Sequence, residues 1–179
     1  CKRPELAAQL IDDLAWLGLE WDEGPYYQHD RLDLYERALH QLQDAGLTYP
    51  CFCTRAELHA ASAPHASDGT PIYRGACRGL SAEEVARRSI LRAPATRLRV
   101  PVVDDLADDV IEFVDRTYGA QCEALATECG DFLVRRSDGV FAYQLAVVVD
   151  DAAMGVDEVV RGSDLLSSTP RQLWLYRKL

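Results

Sequence analysis

The chain has 179 residues, 48% of them hydrophobic, six cysteines and a formal net charge of −10. That length supports one substantial core, or a core with an attached subdomain. It holds no run of 18 apolar residues and no secretory signal pattern, so the expectation is a soluble, cytoplasmic protein with no membrane partner. The acidic balance argues against general affinity for nucleic acid, which needs clustered Lys and Arg. A local basic stretch, Arg87, Arg88, Arg92, Arg97 and Arg99, still leaves room for a small positive face.

From the N-terminus, Leu6, Leu10, Ile11, Leu14 and Leu17 recur at helical spacing, with Pro4 near the start and Gly18 just past the end. The pattern predicts an amphipathic helix over Pro4 to Leu17. A loop with Gly24-Pro25 follows, and Asp30 can cap a second helix whose Leu34, Tyr35, Ala38, Leu39 and Leu42 face inward until Gly46. Both read as scaffold, and His29 and His40 as solvated helix residues.

From Tyr49 the texture changes. Cys51-Phe-Cys53 is followed by Thr54-Arg-Ala-Glu57, a capping box opening a short helix, and by a polar loop from Ser62 to Pro71. Cys77 arrives after 23 intervening residues. Two thiolates one residue apart can share a zinc, and a third from a distant loop would close the site around an otherwise loose insertion. Three sulfurs leave one tetrahedral position open, for which imidazole chemistry nominates His59 or His65. The plain alternative is three reduced cysteines with no metal. Cys122 and Cys129, seven residues apart without a matching pair, read as ordinary thiols.

Ser81-Ala-Glu-Glu84 is a second capping box, starting a helix that fades before Pro94. Thr96, Leu98 and Val100 alternate with Arg97 and Arg99, which predicts a half-exposed strand ended by Pro101. Asp104 to Asp109 reads as a solvated loop. Ile111 to Val114 and Phe132 to Arg136 read as strands of a small sheet, with a turn at Ser137-Asp-Gly139.

The stretch Phe141 to Arg171 organises the rest. It predicts an apolar helix to Asp151, a β-branched strand Val156 to Val160, a turn at Arg161-Gly162, and a helix capped by Thr169 with Pro170 at its first position. At a strand tip in an α/β sheet, Arg161 would offer a planar fork to a carboxylate or phosphate. A surface ion pair with Asp157 or Asp164 is the plainer reading. Tyr143 in an apolar run is by itself a core tyrosine.

The segments FAYQLAVVVDD, VVRGSDLL and STPRQ, together with LGLEWDEGP, QHDRLDLY and YPCFCT upstream, resemble in order and spacing the class I catalytic domain of the glutamyl-tRNA synthetase group. The likeness covers essentially the whole chain. Within the group, Gly130 to Ala146 is most similar to the short branch, the glutamyl-Q tRNA(Asp) synthetases; ordinary members are expected to carry a Pro-Thr-Tyr-His-like run where this chain has Phe141-Ala-Tyr143-Gln144.

The resemblance implies an α/β fold. A Rossmann-like domain would be formed by 1–49 and 138–179 and interrupted at 50–137 by a zinc-bearing, acceptor-binding-like insertion. It places Tyr143 and Arg161 at the residues that hold the amino acid. It also implies one structural Zn²⁺ on Cys51, Cys53, Tyr73 and Cys77, with Tyr73 in the position where imidazole chemistry would put His59 or His65. The implied reaction is activation of glutamate by ATP, with Mg²⁺, and transfer to the queuosine base of tRNA(Asp), by a monomer. Two alternatives stand beside it: a glutamyl-tRNA synthetase charging the tRNA 3′ end, and a zinc-bearing binding module without catalysis. Neither class I signature, His-Ile-Gly-His-like or Lys-Met-Ser-Lys-Ser-like, occurs in the 179 residues. The expectation is therefore an internal portion of a longer enzyme, inactive alone.

Overall fold

A computed structural model describes residues 3–60, 72–73, 75–101 and 110–179, without the side chains of Arg55, His59 and Ala60. The loop expected at Ser62 to Pro71, with His65, and the acidic run Asp104 to Asp109 lie outside those described residues, as does the His59 side chain. The chain divides into two compact units, Cys1–Leu34 and Tyr35–Leu179.

In the first unit, α1 spans Pro4–Trp16 with proline in its first turn, as the spacing predicts. Leu6, Leu10, Trp16 and Leu17 are all exposed. Asp30 stands within a turn of 3₁₀-helix, Gln28–Arg31, rather than at the cap of the next helix.

That helix, α2, spans Leu32–Asp44, and its Tyr35, Leu39 and Leu42 are buried in the second unit. Gly46, with φ +69°, then turns the chain as only glycine does without strain. Among the described residues five strands follow: β1 Thr48–Cys51, β2 Ala95–Leu98, β3 Val110–Asp115, β4 Gly119–Ala124 and β5 Phe132–Arg135. They form an antiparallel sheet in the order β1-β2-β5 and a separate β3-β4 hairpin. Two short helices intervene before β2, α3 Arg55–Ala60 and α4 Ala82–Leu91, and both predicted capping boxes are formed. Among the described residues the only parallel pairing is an isolated bridge, Tyr73 to Gly130.

The sheet packs against α5, Tyr143–Met154, and α6, Ser168–Lys178. Leu39, Leu42, Leu98, Ile111, Leu125, Val134, Leu145, Val148 and Leu175 make one buried cluster. Each such side chain contributes about 1.5–3 kcal/mol on leaving water. Asp150 enters this interior because the Tyr35 hydroxyl donates to its Oδ2 at 2.6 Å.

Three expectations are corrected here. Val156 to Val160 is not a buried strand: the segment has no ladder partner among the described residues, and Val156, Val159 and Val160 are exposed. β-Branched residues favour an extended backbone, but a strand exists only where a neighbour takes its hydrogen bonds. Thr169 does not cap α6, which begins at Ser168, so its hydroxyl is free for another role. Arg97, expected on the open face of β2, is only 6% exposed, because β2 is covered on both sides.

Candidate functional site

Two clusters bring together the residues singled out in the sequence. In the first, the sulfurs of Cys51, Cys53 and Cys77 all lie within 4.8 Å of one another, from the end of β1, the turn after it and the loop before α4. The Tyr73 hydroxyl is 3.5 Å from the sulfurs of both Cys51 and Cys53 and accepts the Cys77 backbone N–H at 2.9 Å; the Cys53 and Cys77 sulfurs are 3.6 Å apart. Donors around a tetrahedral zinc, with bonds of about 2.3 Å to sulfur and about 2 Å to oxygen, stand roughly 3.5–3.8 Å from each other. The residues present therefore fit a four-coordinate ion with Tyr73 as the oxygen donor.

Gly130 makes this possible. A Cβ there would fall 2.6 Å from the Tyr73 carbonyl oxygen and 2.9 Å from Ile72 Cγ2, and the backbone sits at φ +67°. Only glycine lets β5's approach lie so close to the Tyr73 backbone.

The protonation pattern of the cluster follows from crowding. Burial, with hydrogen bonds to Cys77, Cys53 and Cys51, raises the Tyr73 phenol far above its ordinary value. Burial likewise drives the Cys53 thiol up to about 11, partly offset by the Tyr73 hydroxyl and reinforced by the adjacent sulfurs. Cys77 is also pushed up by burial, but hydrogen bonds from Tyr73, from the Phe52 backbone and from the other two cysteines outweigh it, and its thiol lies below the usual value.

A buried cation braces the cluster. Arg97 lies 3.9 Å from the Tyr73 ring centroid, donates Nε to the Cys51 sulfur at 3.3 Å, and donates Nη1 to the Asp131 carbonyl at 2.7 Å. The Asp131 carboxylate accepts from the Tyr49 hydroxyl, from the Val100 backbone N–H at 2.9 Å, and from Arg78 through Nε at 2.6 Å and through Nη2. Arg78 is the residue after Cys77, so this ion pair ties the third cysteine to the sheet. Neither Arg97 nor Asp131 is marked by spacing in the sequence: a charged residue within a strand reads as facing solvent until the other layer is known.

The second cluster joins Tyr143, the first residue of α5, to Arg161. Arg161 Nη1 is 3.5 Å from the Tyr143 hydroxyl and 2.7 Å from Gln172 Oε1, and Nη2 is 2.6 Å from Thr169 Oγ1. Tyr143 is 45% exposed, so its hydroxyl meets the arginine at an open surface rather than inside the core. Neither predicted surface partner, Asp157 nor Asp164, pairs with Arg161; Asp164 instead crowds Gly162, where a Cβ would meet its carboxylate. The Asp151 carboxyl is raised by burial and by Asp150, and Arg161 opposes that rise. Thr169 and Gln172 escaped the site reading, although their i, i+3 spacing in STPRQ places both on one face of α6.

The family of class I tRNA synthetases for glutamate and glutamine, catalytic domain, matches residues 2–179, and the chain belongs to it. Among its curated relatives, the glutamyl-Q tRNA(Asp) synthetase of Nitratidesulfovibrio vulgaris is 53% identical over 99% of this chain and 56% of its own length. That of Symbiobacterium thermophilum is 51% identical with the same coverage. Glutamate–tRNA ligase 1 of Halorhodospira halophila is 44% identical over 98% of this chain and 38% of its own length. The crystal structure of a glutamate tRNA ligase from Elizabethkingia meningosepticum, in complex with its amino acid, superimposes with a TM-score of 0.74 at 25% identity, covering 94% of this chain and 36% of that one. The chain thus spans about half the length of the glutamyl-Q relatives it matches. Among the described residues, no helix is long and apolar enough to cross a membrane.

Proposed function

We propose that the protein activates glutamate with ATP, with Mg²⁺, and transfers it to the queuosine base of tRNA(Asp), as a cytoplasmic monomer. The observation that carries this reading is the Arg161 guanidinium, aligned beside the Tyr143 hydroxyl at an open surface, in a chain whose relatives at 53% and 51% identity are glutamyl-Q tRNA(Asp) synthetases. In it, Arg161 pairs with a carboxylate of glutamate and Tyr143 adds a directed hydroxyl. The buried Leu145, Ala146 and Val148 behind them keep that end of α5 rigid and dry. Glutamine is rejected because its amide leaves the fork incompletely paired.

In the same reading, Cys51, Cys53, Tyr73 and Cys77 hold one structural zinc in an insertion at 50–137, between two parts of a Rossmann-like domain, 1–49 and 138–179. Zinc there would close a loop, and ligation would favour the thiolate forms that burial disfavours. A site with four protein donors has no position for a reactive water, so the chemistry is left to the amino-acid site.

The test is product identity. The protein in its full encoded length, given ATP, labelled glutamate and queuosine-bearing tRNA(Asp), should label the anticodon nucleoside and not the 3′-terminal adenosine. Label on the terminal adenosine would make it a glutamyl-tRNA synthetase, and no label on either would favour a binding module.

A further inference from the structure

Arg97 is buried against the cysteine cluster with only 6% of its surface exposed, and a guanidinium cannot shed its charge on burial as an amine can. Its Nη1 donates to the Asp131 carbonyl, its Nε donates to the Cys51 sulfur at 3.3 Å, and its central carbon lies 3.9 Å from the Tyr73 ring centroid. Among the described residues no carboxylate stands within ion-pair distance of it, and the Asp131 carboxylate is taken by Arg78. A buried charge without a counter-charge is strongly unfavourable, so its contacts indicate where the opposite charge belongs. Two of the three partners, Cys51 and Tyr73, are donors of the cluster. The position is also fixed. Arg97 sits on the central strand, opposite Tyr49 of β1 and Leu133 of β5, and the β2–β5 register shifts between Thr96 and Arg97, an irregularity of the kind that re-aims a side chain.

We propose that Arg97 is the counter-ion of the metal centre and sets its affinity for zinc. This role rests on the zinc reading above. Three thiolates around Zn²⁺ leave one net negative charge inside the protein, and a permanent positive charge against Cys51 and Tyr73 offsets it. Arg97 reaches the cluster with Nε and the face of its guanidinium, so it takes up no coordination position. Its hydrogen bond also orients the Cys51 sulfur, as the outer partners of metal ligands do. Arg78, next to Cys77, has its charge already matched by Asp131 and cannot serve the cluster in the same way.

The test is zinc binding by the protein in its full encoded length, stripped of metal and titrated with zinc against a competing chelator, together with thermal unfolding of the stripped and zinc-loaded forms. Arg97→Met keeps the apolar stem and removes the charge. It should weaken zinc binding by about ten- to a hundredfold, and the rise in unfolding temperature on adding zinc should shrink with it. Arg97→Lys keeps the charge without the fork and should bind zinc within about threefold of wild type. A role in packing alone gives a different pattern: Arg97→Met then lowers both unfolding temperatures alike and leaves the zinc-dependent rise intact. Should Arg97→Met not fold, Arg97→Gln, which keeps a donor for the Asp131 carbonyl, carries the same expectation. Neutral variants that bind zinc within about twofold of wild type overturn the proposal, as does a lysine variant as weak as the neutral ones. If wild type takes up zinc in such a case, only Arg97's role falls; a wild type that binds no zinc removes the metal reading and this role with it.

Discussion

The cysteine cluster and the Arg161 cluster are both polar centres in the larger unit, and they differ in how completely they satisfy themselves. Around the cysteines no buried side-chain nitrogen or oxygen among the described residues is left unpaired: Arg97 reaches a sulfur, an aromatic face and a carbonyl, and four donors converge on Asp131. Around Arg161 the partners run out among the described residues, with Tyr143 half exposed and Gln172 Nε2 unmatched. A centre that maintains structure closes its hydrogen bonds within the protein, whereas one that receives a ligand leaves some for the ligand to make.

The largest expected effect tests that division directly. Arg161→Ala should abolish glutamate-dependent pyrophosphate exchange in the full-length protein while leaving its zinc content unchanged and lowering its unfolding temperature only modestly, through the lost bond to the buried Gln172 Oε1. Cys77→Ser should do the reverse in its primary effects: elemental analysis of chelator-free protein should fall from close to one zinc per chain to almost none, with a lower unfolding temperature. If Cys77→Ser keeps both zinc and stability, the cysteines are ordinary thiols and the contrast between the centres disappears.

A smaller loss should follow from Asp131→Ala, which strands the Arg78 guanidinium and two further donors, the Tyr49 hydroxyl and the Val100 N–H. Breaking a buried ion pair from one side costs about 3–5 kcal/mol. With Arg78 partly solvated, the lower end of that range is expected by denaturant unfolding. A cost under about 1 kcal/mol would show that the cysteine loop does not depend on this anchor.

The smallest effect belongs to Asp151, whose carboxyl is raised in the folded state by burial and by Asp150. A raised folded value means that folding disfavours the ionised form. Asp151→Asn should therefore stabilise slightly at neutral pH, by less than about 1 kcal/mol for a group that is only partly buried, and the gain should vanish below the ordinary carboxylate range, where Asp151 is neutral in both states. Thermal unfolding of the two proteins at pH 7 and pH 3 measures this, and an unchanged difference between the two pH values would contradict it.

Much of this was legible in the residues alone. Helical spacing located α1 and α2, local side-chain-to-backbone chemistry located both capping boxes, and the apolar run from Phe141 located α5, because each depends on residues within a few positions of one another. Cys51, Cys53 and Cys77 could be grouped because one pair is nearly adjacent and thiols have few other uses together.

What the sequence could not decide were the facts that depend on a second layer. Val156 to Val160 has strand composition and no strand, because pairing belongs to two segments and not one. Arg97 looked solvent-facing until the Tyr73 ring and Cys51 covered it. Arg161, Thr169 and Gln172 are unremarkable apart, and only the fold of the turn back onto α6 makes them a single hydrogen-bonded fork. Local propensity acts along the chain and can be read there, whereas burial and the matching of donors to acceptors act across it, and exist only once the tertiary structure has brought the partners together.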